Sequence, residues 1–170
     1  MSELPKLQIA YHEAGHAVTA IVLNLKIVTV TIERGEDSQG TCKVFGVMAY
    51  RYTNLRERKS IARDYILNSY SGFEAEKMFN PEADPGFSAD DFEDAEDTSK
   101  TFAILPRKCF VGDEKHLAYL ERFKIGARKL LRKSWPSVKA VAEAPMEGKT
   151  LTHEEVEQII RETQPDLLEA

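Results

Sequence analysis

Apolar residues recur at helical spacing along most of this chain, and only one short stretch alternates with a period of two. From Leu7 to about Asn24 the positions Ala10, Ala14, Ala17, Val18, Ile21 and Val22 make much of a predicted helix apolar. Pro5 falls near its first turn, where a missing N–H does no harm. Ile27 to Ile32 then alternates, with Val28, Val30 and Ile32 on one face and Ile27, Thr29 and Thr31 on the other, which predicts a half-buried strand. Gly35 to Gly40 is turn chemistry, and Thr41 to Val47 reads as the returning strand of a hairpin.

The remainder reads as helices. Asn54 is placed to cap a long helix through Ile61, Tyr65 and Ile66 towards Phe79, with a break expected near Gly72. Asn80 to Phe87 holds two prolines and a glycine and reads as a loop. Ser88 with Asp91 three residues on is a capping pattern for a helix towards Ala103. Asp113 caps the next predicted helix, which runs to about Lys133, and Pro136 starts a short one that stops before Pro145. Thr152 with Glu155 is a capping box for the last helix, with Leu151 set to staple onto Val156. The sum is a mainly α fold of the α+β kind with one small β-hairpin beside the first helix. Its 170 residues suit one domain, 1–170, and can bury a core without staples.

Composition adds mainly exclusions. Hydrophobic residues make up 42% and charged residues 30%, ordinary for a globular protein. The formal net charge of -5 argues against a sequence-independent grip on nucleic acid. The basic run Arg122, Lys124, Arg128, Lys129, Arg132 and Lys133 has the spacing of the wet face of an amphipathic helix. The longest apolar stretch, Ala17 to Leu25, includes Thr19 and Asn24 and is about half a membrane span, so none is expected. No signal-peptide pattern is read at the N-terminus. Cys42 and Cys109 form no CxxC pair and read as small core residues, which suits a reducing cytoplasm. The acidic stretch from Glu82 to Asp97 reads as a solvated, helix-initiating face, and His116 and His153 as surface residues.

One pattern carries chemistry. His12-Glu13-Ala14-Gly15-His16 matches HExxH. Four residues of α-helix advance about 400°, so the two histidines lie one turn apart on the same face, roughly 40° from one another. Both imidazoles can reach one ion, while Glu13 points off that face but close enough to hold an outer-shell water. Chance can place this pattern on an exposed helix, but here the flanks are apolar, and two histidines and a glutamate on a largely buried helix need partners. Gly15 costs roughly 1 kcal/mol against alanine inside a helix, and lets a backbone or ligand approach closely.

With its flanks, Tyr11-His-Glu-Ala-Gly-His-Ala17 and the Val-Thr-Ile strand after it resemble the zinc peptidase domain of FtsH-type AAA proteases. Ser71-Gly-Phe-Glu-Ala-Glu-Lys-Met78 is similar to that family's Gly-Arg-x-Ala-Glu-Glu segment, and Ser88-Ala-Asp-Asp-Phe-Glu-Asp-Ala95 to its Ser-Asn-Asp-Leu-x-x-Ala. The resemblance covers most of the chain and implies a zincin-like helical domain, with a metal-site portion over 1–105 and a helical portion over 106–170. It implies zinc held by His12, His16 and Asp91, with Glu13 as general base. On bare sequence Asp91 also fits a capping role with Ser88. Glu76 aligns with a glutamate near the family's metal; it is expected to orient a ligand histidine and is the alternative third ligand.

The chain departs from the family at Asp90, where an Asn stands, and at Phe73, where an Arg stands. No GxxxxGK[ST] phosphate loop occurs, so the chain cannot unfold substrates with ATP by itself. The expectation is an ATP-independent zinc metalloendopeptidase acting on flexible or unfolded polypeptides. A homo-oligomer and a separate ATPase partner stay open. The resemblance implies a strand at the cleft; if Val28 to Ile32 edges it, that strand would bind extended peptide by strand addition. The alternative is a non-catalytic zinc-binding adaptor or regulatory relative, against which the retention of Glu13 argues. A deformylase-like enzyme would need a cysteine ligand in its own motif, and neither cysteine lies in one.

Overall fold

The computed structural model describes residues 3–31, 41–44, 54–102, 104, 114–144 and 150–169. In chain order these form α1 (Glu3–Val22), β1 (Ile27–Thr31), β2 (Thr41–Val44), α2 (Leu55–Phe79), α3 (Ala89–Thr101), α4 (Glu114–Lys133), α5 (Trp135–Glu143) and α6 (His153–Thr163), with short 3-10 turns at Pro85–Ser88 and Pro165–Leu167. The fold is mainly helical with one small antiparallel pair of strands. Among the described residues no helix is long and apolar enough to cross a membrane.

Local chemistry explains most element ends. α1 closes with Asn24 in the left-handed region at φ 56°, so that Asn24 N–H reaches the Ile21 carbonyl at 3.0 Å and Leu25 N–H the Ala20 carbonyl at 2.8 Å. Asn54 Oδ1 accepts from Glu57 N–H at 3.0 Å and starts α2. At α6 the capping box forms in full: Glu155 N–H donates to Thr152 Oγ1 at 3.3 Å, and Thr152 N–H to Glu155 Oε2 at 2.9 Å. Leu151 and Val156 are both buried in the same cluster.

Several expectations change. α2 runs unbroken through Gly72, because the helix packs along α1 on both sides of that residue. Ser88 makes no side-chain capping bond, and its buried Oγ has no partner, so the Ser88–Asp91 capping box does not form. Asp91 is engaged elsewhere. The alternation along β1 is broken by a register shift between Ile27 and Thr29. Ile27 and Val30 are therefore the buried residues, while Val28 is 40% exposed. Asp113, the Gly35–Gly40 turn and the far end of the returning strand lie outside the described residues, as does Cys109.

α1 is the central element. It packs against α2 on one side and against α5, α6 and the strands on the other. The main core joins Ala10, Ala14, Val18 and Leu25 to Val30, Leu131, Val138, Val141, Leu151 and Ile160. Each such buried Leu, Ile or Val contributes roughly 1.5–3 kcal/mol. A second cluster, with Ala62, Ile66, Ala95, Leu120 and Ala127, fixes α3 and α4 onto α2. Helices from the second half of the chain thus complete the core around α1.

The α1–α2 contact is unusually close. A Cβ on Gly15 would stand 2.5 Å from the Ser71 carbonyl oxygen and 2.6 Å from Ala75 Cβ. Gly15→Ala should therefore destabilise the protein by about 1–3 kcal/mol, despite the better helix propensity of alanine. Urea denaturation checks it, and an unchanged or raised midpoint would contradict the packing described.

Candidate metal centre

The antiparallel contact of α1 with α2 sets the site. Asn68, Gly72 and Glu76 recur every four residues on one face of α2 and meet His16 and His12 on α1. His16 Nδ1 lies 2.9 Å from the Asn68 carbonyl, and Asn68 Nδ2 returns a bond to the His16 carbonyl at 2.7 Å. His12 Nδ1 lies 3.3 Å from Glu76 Oε2, while Gln8 Nε2 reaches Glu76 Oε1 at 3.4 Å. Each ring thus donates through Nδ1 and turns its Nε2 inward.

Asp91, in the first turn of α3, supplies the third atom. Its Oδ2 is 3.1 Å from His12 Nε2 and 3.5 Å from His16 Nε2, and the two Nε2 atoms are 3.1 Å apart. Two ligands about 2.0–2.1 Å from one tetrahedral ion stand roughly 3.3 Å apart. The donor set fits: three acceptor atoms converge with nothing between them to share except a cation. His12, His16 and Asp91 are therefore a group that could hold a metal ion. Glu76 meets His12 at the nitrogen facing away from the converging atoms.

Electrostatics agree. Burial works against charge on His12, but hydrogen bonds to Asp91 and Glu76 and the field of Glu13 outweigh it and push its pKa up to about 10. Burial also opposes charge on Asp91, yet the two histidines hold its carboxyl well below the usual carboxylate range. Metal-free, the cluster keeps a proton where a cation would sit.

Glu13 is buried, with 7% of its surface exposed. Burial raises its pKa, against the pull of His12 and His16. Its carboxyl accepts from the backbone N–H of Cys42 on β2. Val30 N–H and C=O bond Leu151 at 2.9 and 2.8 Å, on the edge of β1 away from β2. Opposite Val30 in the register, Cys42 must therefore aim its own N–H and C=O away from β1. The outer edge of β2, rather than β1, flanks Glu13. Among the described residues no further strand covers that edge.

The sequence reading missed Asn68 and Gln8. Asn68 could have been found from its four-residue spacing to Gly72 and Glu76. His116 is corrected: it is fully buried, with Nε2 2.8 Å from Ser99 Oγ, because it begins the inward row of α4 with Leu120, Ala127 and Leu131. His153 is half-buried and accepts from Ile27 N–H at 3.3 Å. Cys42 is partly buried against the main core. The basic residues of α4 are mostly exposed, although Arg128 pairs with the fully buried Glu74.

The fold and site define a mainly helical protein with a His–His–Asp group able to hold a metal ion. A scan against protein-family models and a search of curated proteins both return no match.

Because His12 carries a proton in the metal-free state up to about pH 10, zinc binding at pH 7–8 should release about one proton. Calorimetric titration in buffers of different ionisation enthalpy reads this directly. Without metal, the raised pKa contributes stability fully below the ordinary value of 6.5, and that contribution fades as pH rises through about 10. Zinc binding without proton release would contradict the raised pKa of His12.

Proposed function

We propose that the chain is a zinc metalloendopeptidase of the FtsH-peptidase type, acting without ATP on flexible or unfolded polypeptides, in a cytoplasmic setting. The observation that carries this reading is the convergence of His12, His16 and Asp91 beside a buried glutamate anchored to a strand edge. Two imidazoles and a carboxylate with room for a further ligand are a donor set that suits catalytic zinc.

A bound zinc ion would supply Lewis acidity, enough to bring a water's pKa near 7. Glu13 takes the proton from the attacking water. It then passes that proton to the departing amine. The Cys42 N–H fixes which way its carboxyl faces. Asn68 and Glu76 keep both imidazoles in the tautomer that leaves Nε2 open. An extended peptide would pair with the outer edge of β2, which moves the proposed strand addition from β1 to β2. Nothing among the described residues would unfold a stable substrate, so flexible or unstructured polypeptides are the substrate class.

Cleavage of a mixed library of unstructured peptides by the zinc-loaded protein tests the reading, run beside Glu13→Gln. The expected result is cuts by the wild type alone, with the variant's kcat reduced about 10²–10⁴-fold and its zinc retained. Zinc bound without cleavage by either protein would favour a non-catalytic zinc-binding adaptor, or an enzyme that needs a separate ATPase.

A further inference from the structure

Gly72 sits within α2, where glycine is a poor helix former and nothing in the backbone calls for it. Its environment explains it. A Cβ on Gly72 would stand 2.3 Å from His16 Nε2, 2.5 Å from His12 Nε2 and 2.7 Å from His16 Cδ2. A Cβ that close to both inward nitrogens would collide with the two rings and crowd any ion shared by their Nε2 atoms. We infer that Gly72 is a positioning residue for the metal: lacking a side chain, it leaves both Nε2 atoms free to face one shared ion, which a Cβ at this position would prevent. The inference rests on the metal reading above and adds a residue of α2 that is not itself a ligand.

Relaxation offers no easy escape. The His16 ring is held at Nδ1 by the Asn68 carbonyl, and the His12 ring by Glu76. Drawing α2 back would open the contact between Ser71 and Gly15. The cheapest response to a methyl group is to swing the ends of both rings outward, which spares the fold and displaces the two nitrogens that bind.

The test uses four full-length proteins: wild type, Gly72→Ala, His12→Ala/His16→Ala, and that pair combined with Gly72→Ala. Zinc affinity is measured by competition with a chromophoric chelator, and Tm is measured metal-free. Gly72→Ala should keep wild-type helix content and lose zinc affinity by about 100-fold or more, at or beyond the upper end of the loss seen when groups supporting a ligand are changed. Without the histidines, the same substitution should raise Tm, because alanine then adds helix propensity and meets no ring. Gly72→Ala binding zinc as tightly as wild type would overturn the inference while leaving the metal reading intact. Wild type binding no zinc would overturn the metal reading itself. If Gly72→Ala does not fold, folding of the combined variant supports a collision with the rings. Loss of Tm or folding there would place the collision elsewhere and overturn the inference.

Discussion

The close crossing of α1 over α2 is the constraint on which the rest depends. Gly15 lets the Ser71 carbonyl approach α1, and that approach brings Asn68 and Glu76 within hydrogen-bonding reach of His16 and His12. Four-residue steps on both helices make the match: two histidines one turn apart face two acceptors two turns apart, with Gly72 between. The same crossing leaves the opposite side of α1 free to anchor α5, α6 and the strands, so the core and the site share one helix.

A cluster of this kind is costly unless a cation completes it. Three acceptor atoms within 3.1–3.5 Å, fixed from behind by Asn68 and Glu76, cannot satisfy one another without a proton or a metal. The strong upward shift of His12 and the downward shift of Asp91 are two expressions of that demand. Asp91 arrives on α3, which is held to α2 by Phe92 lying 5.5 Å from both the Tyr70 and Phe73 rings. Phe73, where the resembling family has an arginine, thus serves the packing that delivers the third atom. Glu13 is not one of the three converging atoms, although its field adds to the upward shift of His12. Its carboxyl faces the Cys42 N–H beside the cluster rather than within it.

Local signals were the legible part of the fold. The capping residues Asn54 and Thr152, the helical spacing of α1 and α4, and the strand pair could all be read because each depends on neighbours within a turn or two. His12, Glu13 and His16 were legible for the same reason. Asp91 required the family resemblance, since its capping and ligand readings look alike until α3 is placed beside α1. Features that depend on distant packing were misread or missed. Gly72 looked like a helix break because its real neighbours are 56 to 60 positions away in sequence. His116 looked exposed because Ser99 is on another helix. The register shift in β1 and the Leu151 bridge to Val30 turned a regular alternating strand into one with its free edge on β2.

The central claim is that one zinc ion is held by two imidazoles and a carboxylate, with no sulfur. X-ray absorption at the zinc edge of the stoichiometrically loaded protein tests it most directly. The account predicts one ion per chain, two imidazole nitrogens at about 2.0–2.1 Å and otherwise oxygen ligands. A sulfur shell near ~2.3 Å, or no tightly bound ion at all, would contradict it.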